Sequence, residues 1–220
     1  MNSTKIQLYS YFRSSAAYRV RIALNLKNIH YETIAVDLTK EGGENWKKQY
    51  LKINPQGFVP ALHHNELLLT QSLAIIEYLE EKYPTPSISP MDISNRALSR
   101  AMAHLISCDI HPLNNLRILD YLRSELSCDK STIDKWYCHW ITQGCQAVEE
   151  LLRDRSSEYR FCYGDAPSFA DICLVPQLYN AKRFHCDTSQ YHLIDTIVTN
   201  CNSLSAFQNA APENQADVKH

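Results

Sequence analysis

Two serine hydroxyls and three arginines are gathered in Tyr11-Phe12-Arg13-Ser14-Ser15-Ala16-Ala17-Tyr18-Arg19-Val20-Arg21, where a strand gives way to a helix. Such a junction suits a bound anion, because an N-cap serine and the free N–H groups of the first turn point outward with the positive end of the helix dipole. A thiolate, carboxylate or phosphate could sit there, held by Ser14 or Ser15 with Arg13 alongside; the plain alternative is that Ser14 only caps the helix. Gln71-Ser72 stand at a second helix start and offer backbone N–H, hydroxyl and amide to a carboxylate. In Asn54-Pro55-Gln56-Gly57-Phe58-Val59-Pro60 the second proline opens a strand, where a cis bond could turn the chain and leave the Val59 N–H and C=O unpaired for a peptide. Together these pieces describe a trough for a short anionic thiol peptide, although each alone has ordinary structural uses.

The elements around them are legible from periodicity. Ile6-Gln7-Leu8-Tyr9-Ser10 is a strand, and Val20, Ile22, Ala23, Leu24 and Leu26 form a wide apolar arc opposite Arg21, Asn25 and Asn28, which predicts a helix over about 15–27. Arg19 falls inside that arc and is expected to snorkel or to make a buried structural pair. A strand over about 31–37 completes a βαβ unit. Val59–His63 and Glu66–Thr70 flank the polar turn His64-Asn65 as a hairpin, and a helix over 72–82 follows. Three prolines within Tyr83–Pro90 forbid continuous helix and read as a semi-rigid linker. Beyond it Leu98, Met102, Leu105 and Ile106 form one apolar stripe, and Leu116, Leu119 and Leu122 a second. Ser131-Thr132-Ile133-Asp134 looks like a capping box for a long helix carrying Ile133, Trp136, Trp140, Ala147 and Leu151 inward, and Ser168-Phe169-Ala170-Asp171 repeats that arrangement. The expected organisation is a domain over 1–83, a linker over 84–90 and a helical domain over 91–220 with a frayed tail from Ala211.

Composition limits the function classes. With 220 residues, 45% of them hydrophobic, the chain can bury a substantial core, and a net charge of −2 gives no global field for nucleic acid or an anionic membrane. No apolar leader precedes the first strand and no stretch approaches the ~18 apolar residues of a membrane span, so a soluble, cytoplasmic protein is expected. All eight cysteines lie from residue 108 onward without a C-x-x-C pair, so reduced thiols in helices are expected. His63-His64 should face opposite ways on a strand, and no structural metal is expected.

The segments 13–24, 54–62 and 71–81 closely resemble those of the cytosolic glutathione transferases. Within them they resemble the zeta class, which includes maleylacetoacetate isomerase and the related maleylpyruvate isomerase. The resemblance spans nearly the whole chain. It implies an α+β fold: a thioredoxin-like N-terminal domain with a mixed sheet, and an all-α C-terminal domain, usually assembled as a homodimer. It also implies glutathione as cofactor, with Ser14 on the sulfur, Val59 beside cis Pro60 pairing with the cysteinyl backbone, and Gln71 and Ser72 on the γ-glutamyl carboxylate. Zeta enzymes commonly carry cysteine or threonine where this chain has Ala16, so sulfur activation falls to Ser14, Ser15 and the helix N-terminus.

The implied reaction is cis–trans isomerisation of a maleyl keto-diacid, maleylacetoacetate in aromatic amino-acid breakdown. A thiolate adds to the conjugated double bond, the resulting single bond rotates, and elimination returns the thiol. The site must hold two carboxylates and stabilise an enolate, and Arg13, His111, Arg117 and Arg183 resemble the isomerases' polar substrate positions; the arginine fork suits carboxylate. Maleylpyruvate isomerase, a general transferase acting on electrophiles such as α-haloacids, and a non-enzymatic binding subunit are the alternatives.

Overall fold

The structure, a computed structural model, describes residues 5–218; residues 1–4, where a leader would begin, and the last two residues of the tail lie outside the described residues. The chain forms two compact units: everything up to Ile88 together with the chain from Ser203 onward, and Ser89–Asn202.

In the first unit, strands β1 (Ile6–Ser10), β2 (Glu32–Ala35), β3 (Ala61–His64) and β4 (Leu67–Thr70) form one sheet in the order β2-β1-β3-β4. β1 runs parallel to β2 with Leu8 opposite Thr33, and antiparallel to β3 with Leu8 opposite Leu62; β3 and β4 form the hairpin. This is the mixed sheet of a thioredoxin-like domain. Helices α1 (Ser15–Leu26) and α3 (Ser72–Lys82) pack on each other, and Leu8, Val20, Ile22, Leu24, Leu62, Ile75 and Ile76 are fully buried. Two 3-10 turns, Lys40–Gly42 and Glu44–Trp46, lead into the short helix α2 (Lys48–Leu51), a stretch whose sequence has no helical period to announce it.

The expected polar face of α1 is covered. Helix α9 (Ser205–Ala210) lies against it: Asn25 Nδ2 donates to the Ala206 carbonyl (3.0 Å) and Arg21 Nε to the Ala210 carbonyl (2.9 Å). Arg21 is therefore fully buried rather than solvated, and residues 203–218 pack with the first unit instead of extending the helical domain to 220. The tail is likewise anchored where fraying was expected. The Asp217 carboxylate accepts the Phe12 N–H at 3.0 Å, and Val218 packs against a cluster of Tyr11, Phe12, Val36, Tyr50 and Val59. The proline-rich segment is pinned as well, since buried Lys27 donates to the Tyr83 and Pro86 carbonyls (2.6 and 2.9 Å) and pairs with Glu80, which accepts from Ser87 and from the Ile88 N–H.

The second unit is helical: α4 (Ile93–His104), a π-helical turn (Leu105–Ile110) and a 3-10 turn (His111–Asn114), α5 (Leu116–Ser124), α6 (Lys130–Arg153), α7 (Phe169–Arg183) and α8 (His192–Asn202). Asp129, not Ser131, caps α6, accepting the Thr132 N–H at 2.8 Å. The buried seam of α6 is Ile133, Tyr137, Ile141, Cys145, Val148 and Leu152, one step round from the face inferred through Trp140, Ala147 and Leu151. The capping box of α7 forms as read. Asp171 is fully buried and accepts from the Ser168 N–H and hydroxyl (2.8 Å each) and from the Cys162 N–H (2.9 Å), while Ser99 donates to the Ser168 hydroxyl. The expectation of reduced thiols in helices is overturned at four positions: Cys138 and Cys186 are joined in a disulfide, and Cys128, Cys162 and Cys186 lie outside any helix.

His64, buried on β3, has its ring nitrogens against the Tyr78 and Tyr83 hydroxyls at 2.8 and 3.3 Å, and it stands opposite Ile6, while His63 faces Gln7. Burial, and then the Lys82 charge, holds the His64 imidazole below its ordinary range. The unfolded chain therefore takes up this proton at higher pH than the folded one. The histidine's contribution to stability is complete above a pH of about 6.5 and is lost as pH falls through the lower folded-state value. The melting temperature should fall between pH 7 and pH 5, and less steeply in His64→Gln; equal slopes would remove His64 from the balance.

Candidate functional site

β1 delivers the chain to Tyr11 and α1 starts at Ser15, so residues 11–14 form a turn closed by the Ser14 N–H donating to the Tyr11 carbonyl at 2.9 Å. Arg21 fixes this turn from inside: its two terminal nitrogens donate to the Ser10 hydroxyl (3.1 Å) and the Phe12 carbonyl (2.9 Å). Ser14 is the N-cap, with its hydroxyl accepting the Ala17 N–H at 3.2 Å. A hydroxyl occupied as an acceptor keeps its own proton to donate, the polarity a thiolate needs. Ser15 is buried in the first turn of α1, while Arg13 is exposed with its guanidinium over the Phe12 ring at 4.8 Å.

The loop before β3 brings up the second part. The Val59–Pro60 bond is cis, and the Val59 N–H and C=O have no hydrogen-bond partner among the described residues. The Phe58 carbonyl just before them is held by the Tyr50 hydroxyl (2.6 Å) and Asn54 Nδ2 (2.8 Å), and Asn45 Nδ2 holds the Gly57 carbonyl at 2.8 Å. Gly57 has φ +66°, and a Cβ there would run into the Trp46 ring, so both backbone and packing require glycine.

Gln71 precedes α3 with φ +70°, and its amide nitrogen donates to Gln56 Oε1 at 2.8 Å; Ser72 opens the helix. Arg19 is buried and donates to the Ser72 hydroxyl at 3.3 Å, the structural pair foreseen for it, which again leaves that hydroxyl's proton to give. The first unit thus brings Ser14, the Val59 backbone and the Gln71-Ser72 helix start onto neighbouring elements. Gln56 was missed in the sequence although it lies within the proline–glycine motif, because nothing along the chain couples it to Gln71.

In the second unit, His111 begins the 3-10 turn and Arg117 lies exposed in the first turn of α5. Both belong to a segment sewn to α6, since Trp136 Nε1 donates to the Leu113 carbonyl (2.8 Å) and Asn114 Nδ2 to the Tyr137 carbonyl (3.2 Å). Gly144 on α6 leaves room for the Ile110 side chain, which a Cβ would strike. Arg183 ends α7 over the Phe184 ring at 4.8 Å, and Phe184 stacks on Tyr137. Burial pushes the Tyr137 hydroxyl up to about 12, opposed by the Arg183 charge and hydrogen bond. Both segments therefore meet α6 at Tyr137. Among the described residues no cluster of histidine, cysteine and carboxylate side chains could hold a metal ion, and no helix is long and apolar enough to cross a membrane.

Residues 4–81 match the glutathione S-transferase N-terminal domain. Over 211 residues the chain is 50% identical to a probable maleylacetoacetate isomerase of Vibrio cholerae, covering 96% of this chain and 97% of that one. The chain belongs to the zeta-class glutathione transferases. This family includes a holo maleylpyruvate isomerase, described as a bacterial zeta-class transferase, 46% identical with a TM-score of 0.94 over 97% of this chain and 100% of the other. It also includes a maleylacetoacetate isomerase from Anaeromyxobacter dehalogenans 2CP-1, with dicarboxyethyl glutathione and citrate bound in its active site; that protein is 38% identical, with a TM-score of 0.87 over 100% of this chain and 96% of its own.

In this zeta-class chain the turn that carries Ser14 hangs on Arg21. Arg21→Met should strand the Ser10, Phe12 and Ala210 oxygens and lower the urea unfolding free energy by about 3–5 kcal/mol. Arg21→Lys, which keeps the charge but loses the fork, should lower it by about 1–3 kcal/mol. A Met variant as stable as the parent would show that the turn is held by other contacts.

Proposed function

We propose that the protein is a glutathione-dependent cis–trans isomerase of a maleyl keto-diacid, maleylacetoacetate, acting in the cytoplasm as a homodimer. The observation that carries the reading is the pairing of two helix starts, each with a serine hydroxyl already occupied as an acceptor, around the unpaired Val59 backbone. Val59 would pair with the cysteinyl backbone beside cis Pro60, and Gln71, Ser72 and the N-terminus of α3 would take the γ-glutamyl carboxylate. Ser14, with the first turn of α1 and buried Ser15, would hold the sulfur as thiolate; Ala16 offers no competing thiol. Glutathione, when bound, supplies the nucleophile that adds to and leaves the double bond. The chain's own part is to lower the thiol's affinity for its proton and to fix the carboxylates while the saturated bond rotates.

For the carboxylates we assign Arg13 in the first unit and His111, Arg117 and Arg183 in the second. The Arg13 and Arg183 guanidinium groups lie over the Phe12 and Phe184 rings at 4.8 Å, which restrains both side chains, and the guanidinium fork suits a carboxylate. Support comes from the Anaeromyxobacter relative, whose bound glutathione bears a dicarboxyethyl group, the charge pattern of a thiol adduct to a maleyl diacid. Maleylpyruvate is the second reading, favoured by the similarity to the holo maleylpyruvate isomerase. Assaying both substrates while following free glutathione tests the proposal: isomerisation leaves glutathione constant, whereas a general transferase consumes one thiol per turnover and a binding subunit turns nothing over.

Ser14→Ala should raise the pKa of the bound thiol and lower kcat at pH 6.5 by about 10–100-fold, with a much smaller change in glutathione affinity because the other contacts remain. Equal activity at that pH would remove Ser14 from sulfur activation. Replacing Arg13, Arg117 or Arg183 by Met should each lower kcat/KM for the diacid about 10–150-fold, equivalent to roughly 1.5–3 kcal/mol. A neutral electrophile should be conjugated at nearly the parent rate. Parallel losses on both substrates would make these arginines structural.

A further inference from the structure

The bridged cysteines sit in surroundings unlike those of the other thiols. Cys138 on α6 and Cys186, three residues beyond α7, lie with Cα atoms 5.1 Å apart across a sequence separation of 48. Cys145, Cys162, Cys173 and Cys201 are buried free thiols. Burial pushes the Cys145 thiol up to about 12 and holds those of Cys162 and Cys201 well above the ordinary thiol range, so none of these three supplies thiolate near neutral pH. Cys138, by contrast, is half-buried and lines a surface groove of about 500 Å³ whose rim carries Lys130, Lys135, His185 and Asp134. Cys186 is only 8% exposed. The Phe184 carbonyl oxygen stands 3.6 Å from the Cys138 sulfur and 3.9 Å from the Cys186 sulfur, so both thiols have an acceptor at hand once the bridge is open.

We propose that Cys138–Cys186 is a thiol–disulfide exchange site for glutathione, separate from the binding trough of the first unit and entered at the Cys138 sulfur. The thiolate of one glutathione forms a bond to Cys138 Sγ as the Cys138–Cys186 bond breaks. The electron pair departs on Cys186 Sγ, which takes up a proton and turns it toward the Phe184 carbonyl. A second glutathione thiolate attacks the glutathionyl sulfur, breaking the mixed disulfide and releasing glutathione disulfide, and Cys138 is protonated in turn. Two glutathione thiols are oxidised and one protein disulfide is reduced; glutathione disulfide, as oxidant, drives the reverse. Only Cys138 lines the groove, which fixes the sulfur that is attacked and makes Cys186 the leaving group.

The groove chemistry suits this reagent. Glutathione carries two carboxylates and one ammonium, and the rim presents two lysines and a histidine against one aspartate. Lys130 is tied to Asp134 at 2.8 Å with 91% of its side chain exposed, a pairing weak enough to be exchanged for a ligand carboxylate.

The test equilibrates the full chain in glutathione and glutathione disulfide mixtures at fixed pH, quenches with acid, alkylates, and quantifies the Cys138–Cys186 linked peptide by mass spectrometry. The linked fraction should fall as the square of the glutathione concentration over that of its disulfide rises, and Cys186→Ser should trap one glutathionyl group on Cys138. A peptide never linked in excess disulfide, one still linked in excess glutathione, or an adduct on Cys108 or Cys128 instead overturns the proposal. Cys138→Ser provides the reciprocal control and should take up no glutathione at Cys186; an adduct there contradicts the direction of entry. Lys130→Gln with Lys135→Gln should slow opening by glutathione about three- to tenfold while leaving the rate with neutral mercaptoethanol unchanged. No slowing, or equal slowing with both reagents, overturns recognition by the groove.

Discussion

The first unit depends on where a single guanidinium ends. Arg21 is fully buried, and its nitrogens close on Ser10 at the end of β1, Phe12 in the turn and Ala210 at the end of α9. Desolvating a charge to this degree costs several kcal/mol, and the cost is offset only when strong, well-directed acceptors surround the fork. That requirement couples three segments far apart in sequence: none of them can shift without leaving a buried donor unsatisfied. Ser14 follows the Phe12 carbonyl by two residues, so its position as N-cap inherits this rigidity. The Asp217 carboxylate on the Phe12 N–H clamps the same residue from its other side.

The two serines at helix starts then share one design. Each hydroxyl is given a donor by the protein, the Ala17 N–H for Ser14 and the Arg19 guanidinium for Ser72. Each hydroxyl thereby keeps its own proton to donate, beside the N–H groups of a helix's first turn. A neutral hydroxyl is thereby converted into a directional anion ligand; the polarising donor is the Arg19 guanidinium at Ser72 and a neutral backbone N–H at Ser14. This suits a thiolate that must later leave, since a contact ion pair would hold it in the ground state more tightly than the reaction requires.

What the sequence revealed, and what it hid, follows from the range of the interactions concerned. β1, α1, the β3–β4 hairpin, α3 and the Ser168–Asp171 box are set by local periodicity and capping, and they lie within a residue or two of their expected limits. Lys40–Leu51 was invisible because short turns of two helical types carry no period. The polar face of α1 looked like a solvent face because the partner that covers it, α9, arrives some 180 residues later and offers its backbone carbonyls to Arg21 and Asn25. α6 was read one step round because Trp136 and Trp140 dominate any hydrophobic pattern, yet they lie at the margin of the seam that Tyr137, Ile141 and Cys145 form. The Cys138–Cys186 bridge could not be inferred from spacing, since 48 residues and two helices separate its ends.

The same distinction sorts the arginines, which are indistinguishable as letters. Arg19 and Arg21, six and eight residues after Arg13, are committed to buried oxygens of the chain itself and act as scaffold. Arg13 and Arg183 are exposed and rest on neighbouring aromatic rings. A ring beneath the guanidinium replaces part of its hydration and restrains the side chain, so less rotamer entropy is lost when a carboxylate arrives at the N–H edge. A buried arginine gives the fold a fixed point and an exposed, ring-backed one gives a ligand a prepared partner. Arg21 is held by the end of α9 and Arg19 by the start of α3, both reached from within α1, whereas Arg13 lies in the turn before that helix and stays exposed.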